Sequence, residues 1–355
     1  MTATAIYRLP HQDTCTIVDG EGETLTSMTG LNNRSGFVVA PFAATTETPI
    51  VLIRPDRVEA CPVSAVFNLH PSTLSVPPST LHLQPSTSLS YDIDFANFHS
   101  QLTAGTFQKI VLARCVREDR GNLSPMELFV RACQQYPRLF VALVSTPQSG
   151  MWLTATPEVL LQSEESGQWR TIALAGTMKL EGRQLDFDTP KGKIELTWTT
   201  KNIQEQRVVA TYITECLERH ASDIREYGPR TARAGKLVHL RTDFTFTLPD
   251  NNHIGSLLAD IHPTPAVCGL PKKLAADFIL HNEHTPRSYY SGFMGPLAMG
   301  STVQATDIYV SLRCMNICDD GCYLYAGGGL LADSDRQQEW AETKAKLETM
   351  RELLI

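Results

Sequence analysis

The sequence predicts an α+β fold, and three observations carry that reading. Short β-branched or apolar runs outnumber helical stretches, and turn signals such as Asp319-Asp320-Gly321 join neighbouring runs directly. The few long helical patterns do not alternate one for one with the strands, as they would in a doubly wound parallel sheet.

The elements follow in order along the chain. Gly36–Ala40 and Pro49–Arg54 are strand-like. The segment PSTLSVPPSTLHLQPSTSLSY, from Pro71 to Tyr91, repeats PST at Pro71, Pro78 and Pro85; its prolines break helices and central strands, so it reads as an extended connector. Phe107–Val116 has the β-branched content of a buried strand. Ser124-Pro125-Met126-Glu127 is a capping box with proline at the first helical position, opening a helix to about Tyr136. Strands at Leu139–Ser145 and Met151–Gln162 precede a long helix over roughly Ile194–Arg219, whose apolar face includes Val208, Val209, Tyr212, Ile213 and Cys216. Pro271 opens another helix to about His281. Strands return at Asp307–Ile317 and Cys322–Ala326, and a last helix runs from near Ser334 to the carboxyl end.

Composition narrows the function. At 355 residues and 42% apolar content, the chain can bury a substantial core in one large domain or two ordinary ones. A formal charge of -7, with no Lys/Arg cluster, argues against nucleic-acid binding. Charged or turn residues interrupt every apolar run before it reaches membrane-spanning length, so no membrane partner is expected. The start, MTATAIYRLPHQD, lacks a basic stretch followed by an apolar core, which leads us to expect a cytoplasmic protein. Nine cysteines are an odd, scattered set; Cys314, Cys318 and Cys322 match no common iron–sulfur spacing and read as structural.

Several residues are chemically suggestive. Glu339, Glu342 and Lys346 share one face of the last helix, beside an apolar stripe of Trp340, Leu347, Met350 and Leu354. Alone they fit a solvated face, but Glu205 shares a face with Val208, Val209 and Tyr212 and so points partly inward. Acids from two helices facing one site suit Mg²⁺, which takes one or two protein carboxylates and leaves places for water and substrate. Lys109 shares a strand face with Phe107, Val111 and Ala113. Burial there lowers a lysine pKa and favours a base, whereas a lysine that snorkels or pairs with an acid is the structural alternative. Gly327, Gly328 and Gly329 permit a tight turn whose amides hold an anion, or simply a turn. His262 sits in a proline-held loop, either as a polar site or as a satisfied loop histidine. No G-x-S-x-G elbow supports a serine hydrolase.

From about Gln101 to Ile355 the order of these pieces resembles the chorismate-utilising enzymes: isochorismate synthases, salicylate synthases, anthranilate synthase large subunits and aminodeoxychorismate synthases. The matching pieces are FQKIVLAR, TATPEVLL, LAGT, KNIQEQ, LLADIHPTPAVCGLPK, YVSLRCM, YLYAGGGLLADSD and EWAETKAKLETM. The resemblance implies one domain of two facing, mostly antiparallel sheets with helices outside. Residues 93–355 would then form the catalytic region, and 1–92 a variable amino-terminal part of the same domain. It further implies that Glu205 and Glu342 bind Mg²⁺ with Glu339 in support. Lys346 and the amides around Gly328 would meet the ring carboxylate of chorismate, and Arg313 the enolpyruvyl carboxylate. Gly176, Thr177, His262, Ala266 and Tyr325 match substrate-lining positions.

The branch is read from fewer residues. Lys109 matches the lysine that activates water in isochorismate and salicylate synthases, where ammonia-using anthranilate synthases typically carry glutamine. Ala175 replaces the nucleophilic lysine of aminodeoxychorismate synthases. Pro265-Ala266-Val267-Cys268-Gly269 is similar to the isochorismate form, where salicylate synthases typically read V-T-A-S-G. Glu158, in TATPEVLL, is then the acid that protonates the departing C4 hydroxyl. Asn202 and Met178 depart from a second carboxylate and an arginine common in relatives. The expectation is a monomeric, Mg²⁺-dependent isochorismate synthase, without a glutaminase subunit, that feeds menaquinone or siderophore biosynthesis. Salicylate synthase and an inactive chorismate-binding relative are the alternatives.

Overall fold

The computed structural model describes residues 2–69, 74, 76, 85–180, 182, 184, 196–234, 237–250, 252–300 and 305–355. The Pro71–Tyr91 connector falls mostly outside the described residues. The chain opens with strands β1 (Thr2–Arg8), β2 (Thr14–Leu25), β3 (Gly36–Ala40) and β4 (Ile50–Pro62), then the single turn α1 (Val66–Leu69) and helix α2 (Ser88–Thr103). Next come β5 (Lys109–Glu118), α3 (Pro125–Gln135), β6 (Phe140–Thr146), β7 (Gly150–Thr156), β8 (Val159–Ser163) and β9 (Trp169–Lys179). Helix α4 (Thr200–Leu217) leads to β10 (Ser222–Ala234) and β11 (Leu237–Thr247). The remainder is α5 (Ile254–Ile261), β12 (Gly269–Leu270), α6 (Lys272–Asn282), β13 (Phe293–Leu297), β14 (Asp307–Val310), β15 (Cys314–Cys318), β16 (Gly321–Leu330) and α7 (Arg336–Arg351).

Among the described residues, sixteen strands pair in one ladder: β10-β11-β9-β8-β14-β13-β3-β4-β2-β1-β6-β7-β15-β16-β5-β12. Neighbours run antiparallel, as in β16 on β5 or β9 on β11. Yet the ring of Phe140 in β6 stacks on that of Tyr309 in β14 with centroids 4.2 Å apart. Those strands stand six places apart in the ladder, roughly 29 Å in a flat sheet at about 4.8 Å per strand. The ladder therefore doubles over, and its two halves face each other as the resemblance implied. Trp152, Ile172, Leu174, Tyr290, Tyr309 and Tyr325 share the core between them. Outside one half, α3 buries Leu128 and Phe129 against β6 and β7, and α7 buries Leu347 and Met350 against β16. Outside the other, α4 and α5 bury Val209, Ile213, Leu257 and Leu258 against β9 and β11.

Several sequence expectations change. The strand read over Met151–Gln162 breaks into β7 and β8 at Pro157, whose missing N–H cannot continue a ladder. That over Asp307–Ile317 breaks at Arg313, which takes φ +46° between β14 and β15. The three glycines form no anion-binding turn: Gly327, Gly328 and Gly329 are strand residues of β16, opposite Ala113, Leu112 and Val111 of β5. They are small because side chains crowd them, as the site shows. The long helix begins at Thr200, capped by Thr199, rather than near Ile194, which lies outside the described residues. The nine cysteines are all free and buried. No described helix is long and apolar enough to cross a membrane.

Candidate active site

A pocket of about 550 Å³, counted out to its open mouth, lies between the two halves of the ladder. Glu158, Gly176, Thr177, Glu205, Ala266, Arg313, Tyr325 and Lys346 all line it, brought in from seven separate stretches of the chain. Breaks in regular pairing place them there. Glu158 sits in the interruption between β7 and β8, Arg313 in the left-handed residue between β14 and β15, and Gly176 at a bulge in β9.

Lys109 begins β5 fully buried, and its Nζ lies 2.9 Å from Oε1 of Glu205 on α4. The contact has the distance of an ion pair but not the angles of a hydrogen bond. The two side chains meet over β16, the strand paired with β5. A Cβ at Gly329 would overlap Glu205 Oε1 and come within 2.8 Å of Lys109 Cε, so any side chain there would displace both groups. A Cβ at Gly328 would meet Glu339 Oε2 at 3.0 Å, and one at Gly327 the Tyr290 hydroxyl at 2.6 Å. The glycine run is thus a bare stretch of strand under an arch of side chains.

Helix α7 supplies the next charges. The side chain of Asp335 caps it by accepting from the amides of Gln337 and Gln338, and the helical spacing turns Glu339, Glu342 and Lys346 toward β16. Lys346 Nζ is 2.8 Å from Glu342 Oε1 and donates to Gly327 O at 2.9 Å. Glu339 is buried; its Oε1 pairs with Lys201 of α4 and accepts from Ser334 Oγ at 2.8 Å, while its Oε2 is buried without a partner. Burial and the neighbouring Glu342 push the Glu339 carboxyl up. Burial also works to raise Glu342, but Lys346, Lys201 and the Thr177 hydroxyl outweigh it and hold that carboxyl low. Among the described residues, no three His, Cys, Asp or Glu side chains close on one point.

Glu158 is only 3% exposed, and burial pushes its carboxyl up to about 7, against the opposing charges of Arg313, Lys109 and Lys346. Arg313 Nη2 lies 2.9 Å from Nε2 of His239, and His239 Nδ1 lies 3.1 Å from Gly176 O. Burial, with Arg313 and Lys346 nearby, pushes His239 well below the usual imidazole range, so its ring is neutral. An arginine has no acceptor, so Nε2 accepts from Arg313 and the proton sits on Nδ1.

The structure does not gather every residue singled out above. His262 lies away from the pocket lining, its ring edge-on to Phe293 at 5.0 Å and its Nε2 3.2 Å from Pro41 O. Burial and Lys272 push it down to about 3, so it is a neutral core histidine. Conversely, His239, Lys201 and Tyr290 belong to the neighbourhood but were not singled out in the sequence. His239 had one signal: with Arg241 and Asp243 it forms an alternating row of titratable side chains along β11.

Comparison with known proteins meets this geometry. The model of the family described as chorismate binding enzyme matches residues 68–355. The chain belongs to the chorismate-binding enzymes. It is 32% identical over 259 residues to the salicylate biosynthesis isochorismate synthase of Pseudomonas aeruginosa, a match covering 72% of this chain and 52% of that protein. It is likewise 32% identical over 256 residues to an isochorismate synthase of Escherichia coli, covering 71% and 57%. The matched region thus spans a little over half the length of these curated relatives. The structure of the menaquinone-specific isochorismate synthase of Escherichia coli superposes with a TM-score of 0.77 at 21% identity, over 99% of this chain and 89% of that one, which shows the shared fold.

Proposed function

We propose that this chorismate-binding enzyme is an isochorismate synthase. The observation that carries the reading is a buried glutamic acid on the pocket wall, its carboxyl pushed up to about 7, with the buried Lys109 close enough to act on its charge. Water addition at one ring carbon with loss of hydroxyl from another needs a base and an acid on the same substrate. Lys109 takes a proton from the water that attacks C2, and Glu158 delivers its proton to the departing C4 hydroxyl. Water is consumed in one half of the reaction and released in the other, so the conversion is reversible. Arg313, oriented by His239, meets the enolpyruvyl carboxylate, and Lys346 the ring carboxylate.

The donors also suit Mg²⁺: Glu205, Glu339 and Glu342 border the same glycine strand, and Glu339 keeps one buried oxygen without a partner. One or two of these acids would hold the ion, with water and substrate as its other partners. Bound there, Mg²⁺ would neutralise the ring carboxylate and compete with Lys109 for Glu205. Lys109 acts as a base only once it has left its pair with Glu205, so the two residues work as a unit.

The salicylate reading needs a further elimination from the same site. Ala266 at the pocket wall, in place of a hydroxyl-bearing residue, favours the isochorismate end point. Consistent with the relatives' names, we place the product at the head of menaquinone or siderophore synthesis in the cytoplasm, made by a monomer without a glutaminase. Turnover in ¹⁸O-water tests the chemistry: isochorismate labelled at the C2 hydroxyl is the expected product. Unlabelled isochorismate would reject water addition.

A further inference from the structure

The ladder is incomplete beside the pocket. Among the described residues, β8 pairs with β9 only at Gln162↔Arg170 and Ser163↔Trp169, so β9 runs on toward Gly176 without a described strand paired on that side. On its other side, β9 meets β11 with a register shift: Leu240 faces Ala175, but His239 faces Thr177. Gly176 is the extra residue of a bulge and takes φ +72°. A strand bent beside a missing neighbour leaves buried amides and carbonyls that need partners.

Gln206, on α4 and only 2% exposed, supplies them. Its Oε1 accepts from the Ala175 amide at 2.9 Å, and its Nε2 donates to Ala173 O and to Thr242 Oγ1, both at 3.1 Å. A carboxamide carries the donor and acceptor of a peptide group, so one side chain stands in for a residue of an adjacent strand. A leucine offers neither, and a glutamate at the same length offers no donor. What the bulge then presents is the Gly176 carbonyl, which receives the Nδ1–H of His239, whose Nε2 receives Arg313.

We propose that Gln206 is a positioning residue: by substituting for a missing strand it pins the Gly176 bulge and so sets the tautomer of His239 and the aim of Arg313. The inference rests on the chorismate reading for its kinetic consequence, but not for its structural one. The test therefore has two parts. Histidine labelled with ¹⁵N in the unmodified chain should report a neutral His239 protonated on Nδ1, and the Ala175 amide should exchange slowly. An Nε2-protonated ring or a fast-exchanging amide in that chain would overturn the proposal, whatever the enzyme turns over. In Gln206→Leu and Gln206→Glu, the His239 signature should shift toward the other tautomer. Well below the melting temperature, kcat/KM for chorismate should fall roughly 10–100-fold, most of it in KM, as expected when a binding group is misaimed. A lower melting temperature with unchanged His239 resonance, kcat and KM would reduce Gln206 to a core residue. Absence of chorismate turnover in the unmodified chain would count against the proposed function while leaving the spectroscopic result to judge Gln206.

Discussion

Glu158 and Lys109 are ordinary residues made unusual by where the chain breaks its strands. If Glu158 is the general acid, only its protonated form works, so kcat/KM should fall as pH rises through about 7. Glu158→Gln should abolish that limb and lower kcat by about 10²–10⁴, and Lys109→Ala should lower it by a similar factor. Rates measured from pH 5.5 to 8.5 check both, and near-full activity in either variant would remove its role. Stability carries the same sign. A carboxyl raised in the folded state holds a proton that the unfolded chain releases from about pH 4.3, so its contribution is lost as pH rises from there to about 7. Relative to Glu158→Gln, the wild type should lose up to about 3 kcal/mol between pH 4 and pH 8 in urea denaturation. Lys109 and Glu205 stood out in the sequence because a charge at apolar spacing is conspicuous, whereas Glu342, on a face that alone fits solvated charge, stood out only through the family resemblance. His239 did not, since a histidine among strand residues looks like any core histidine, and its tautomer depends on an arginine 74 residues away.

At the scale of elements, the glycine strand matters most. The sequence offered three glycines and the ordinary inference of a turn, but the glycines serve close approach rather than bending. Strand β16 runs flat beneath Glu205, Lys109, Glu339 and Tyr290, and nothing local in CYLYAGGGLL states what will lie above it. Gly329→Ala should therefore leave the fold recognisable by circular dichroism yet push Glu205 and Lys109 apart. We expect at least about 10²-fold loss of kcat/KM, the cost of misplacing reacting groups by about 1 Å. Activity within a few fold of wild type would mean that the arch tolerates a methyl group. The capping box at Ser124 and the helical spacing in α7 were readable because they are local chemistry. The splits at Pro157 and Arg313 were only half readable, the first from its proline and the second from nothing in its neighbourhood.

At the scale of the molecule, the partners of the amino-terminal strands lie far off in sequence. Thr4 of β1 faces Ser145 of β6, and Phe37 of β3 faces Pro296 of β13. Residues without a recognisable motif thus occupy the middle of the ladder, joining its two halves. Alternation and composition reveal that a strand exists but not what it pairs with, so this arrangement was invisible in the sequence. Deleting residues 1–65 should remove β1–β4 and abolish cooperative thermal unfolding; a sharp melt in the remainder would show that the two halves close without them.

The central claim is the reaction itself. Purified protein with chorismate and Mg²⁺, its products resolved by chromatography beside EDTA and ammonium controls, tests it most directly. Isochorismate is expected, with the same equilibrium mixture approached from either side and turnover lost in EDTA. Salicylate with pyruvate as the main products, anthranilate formed only with ammonium, or no conversion at all would contradict that claim.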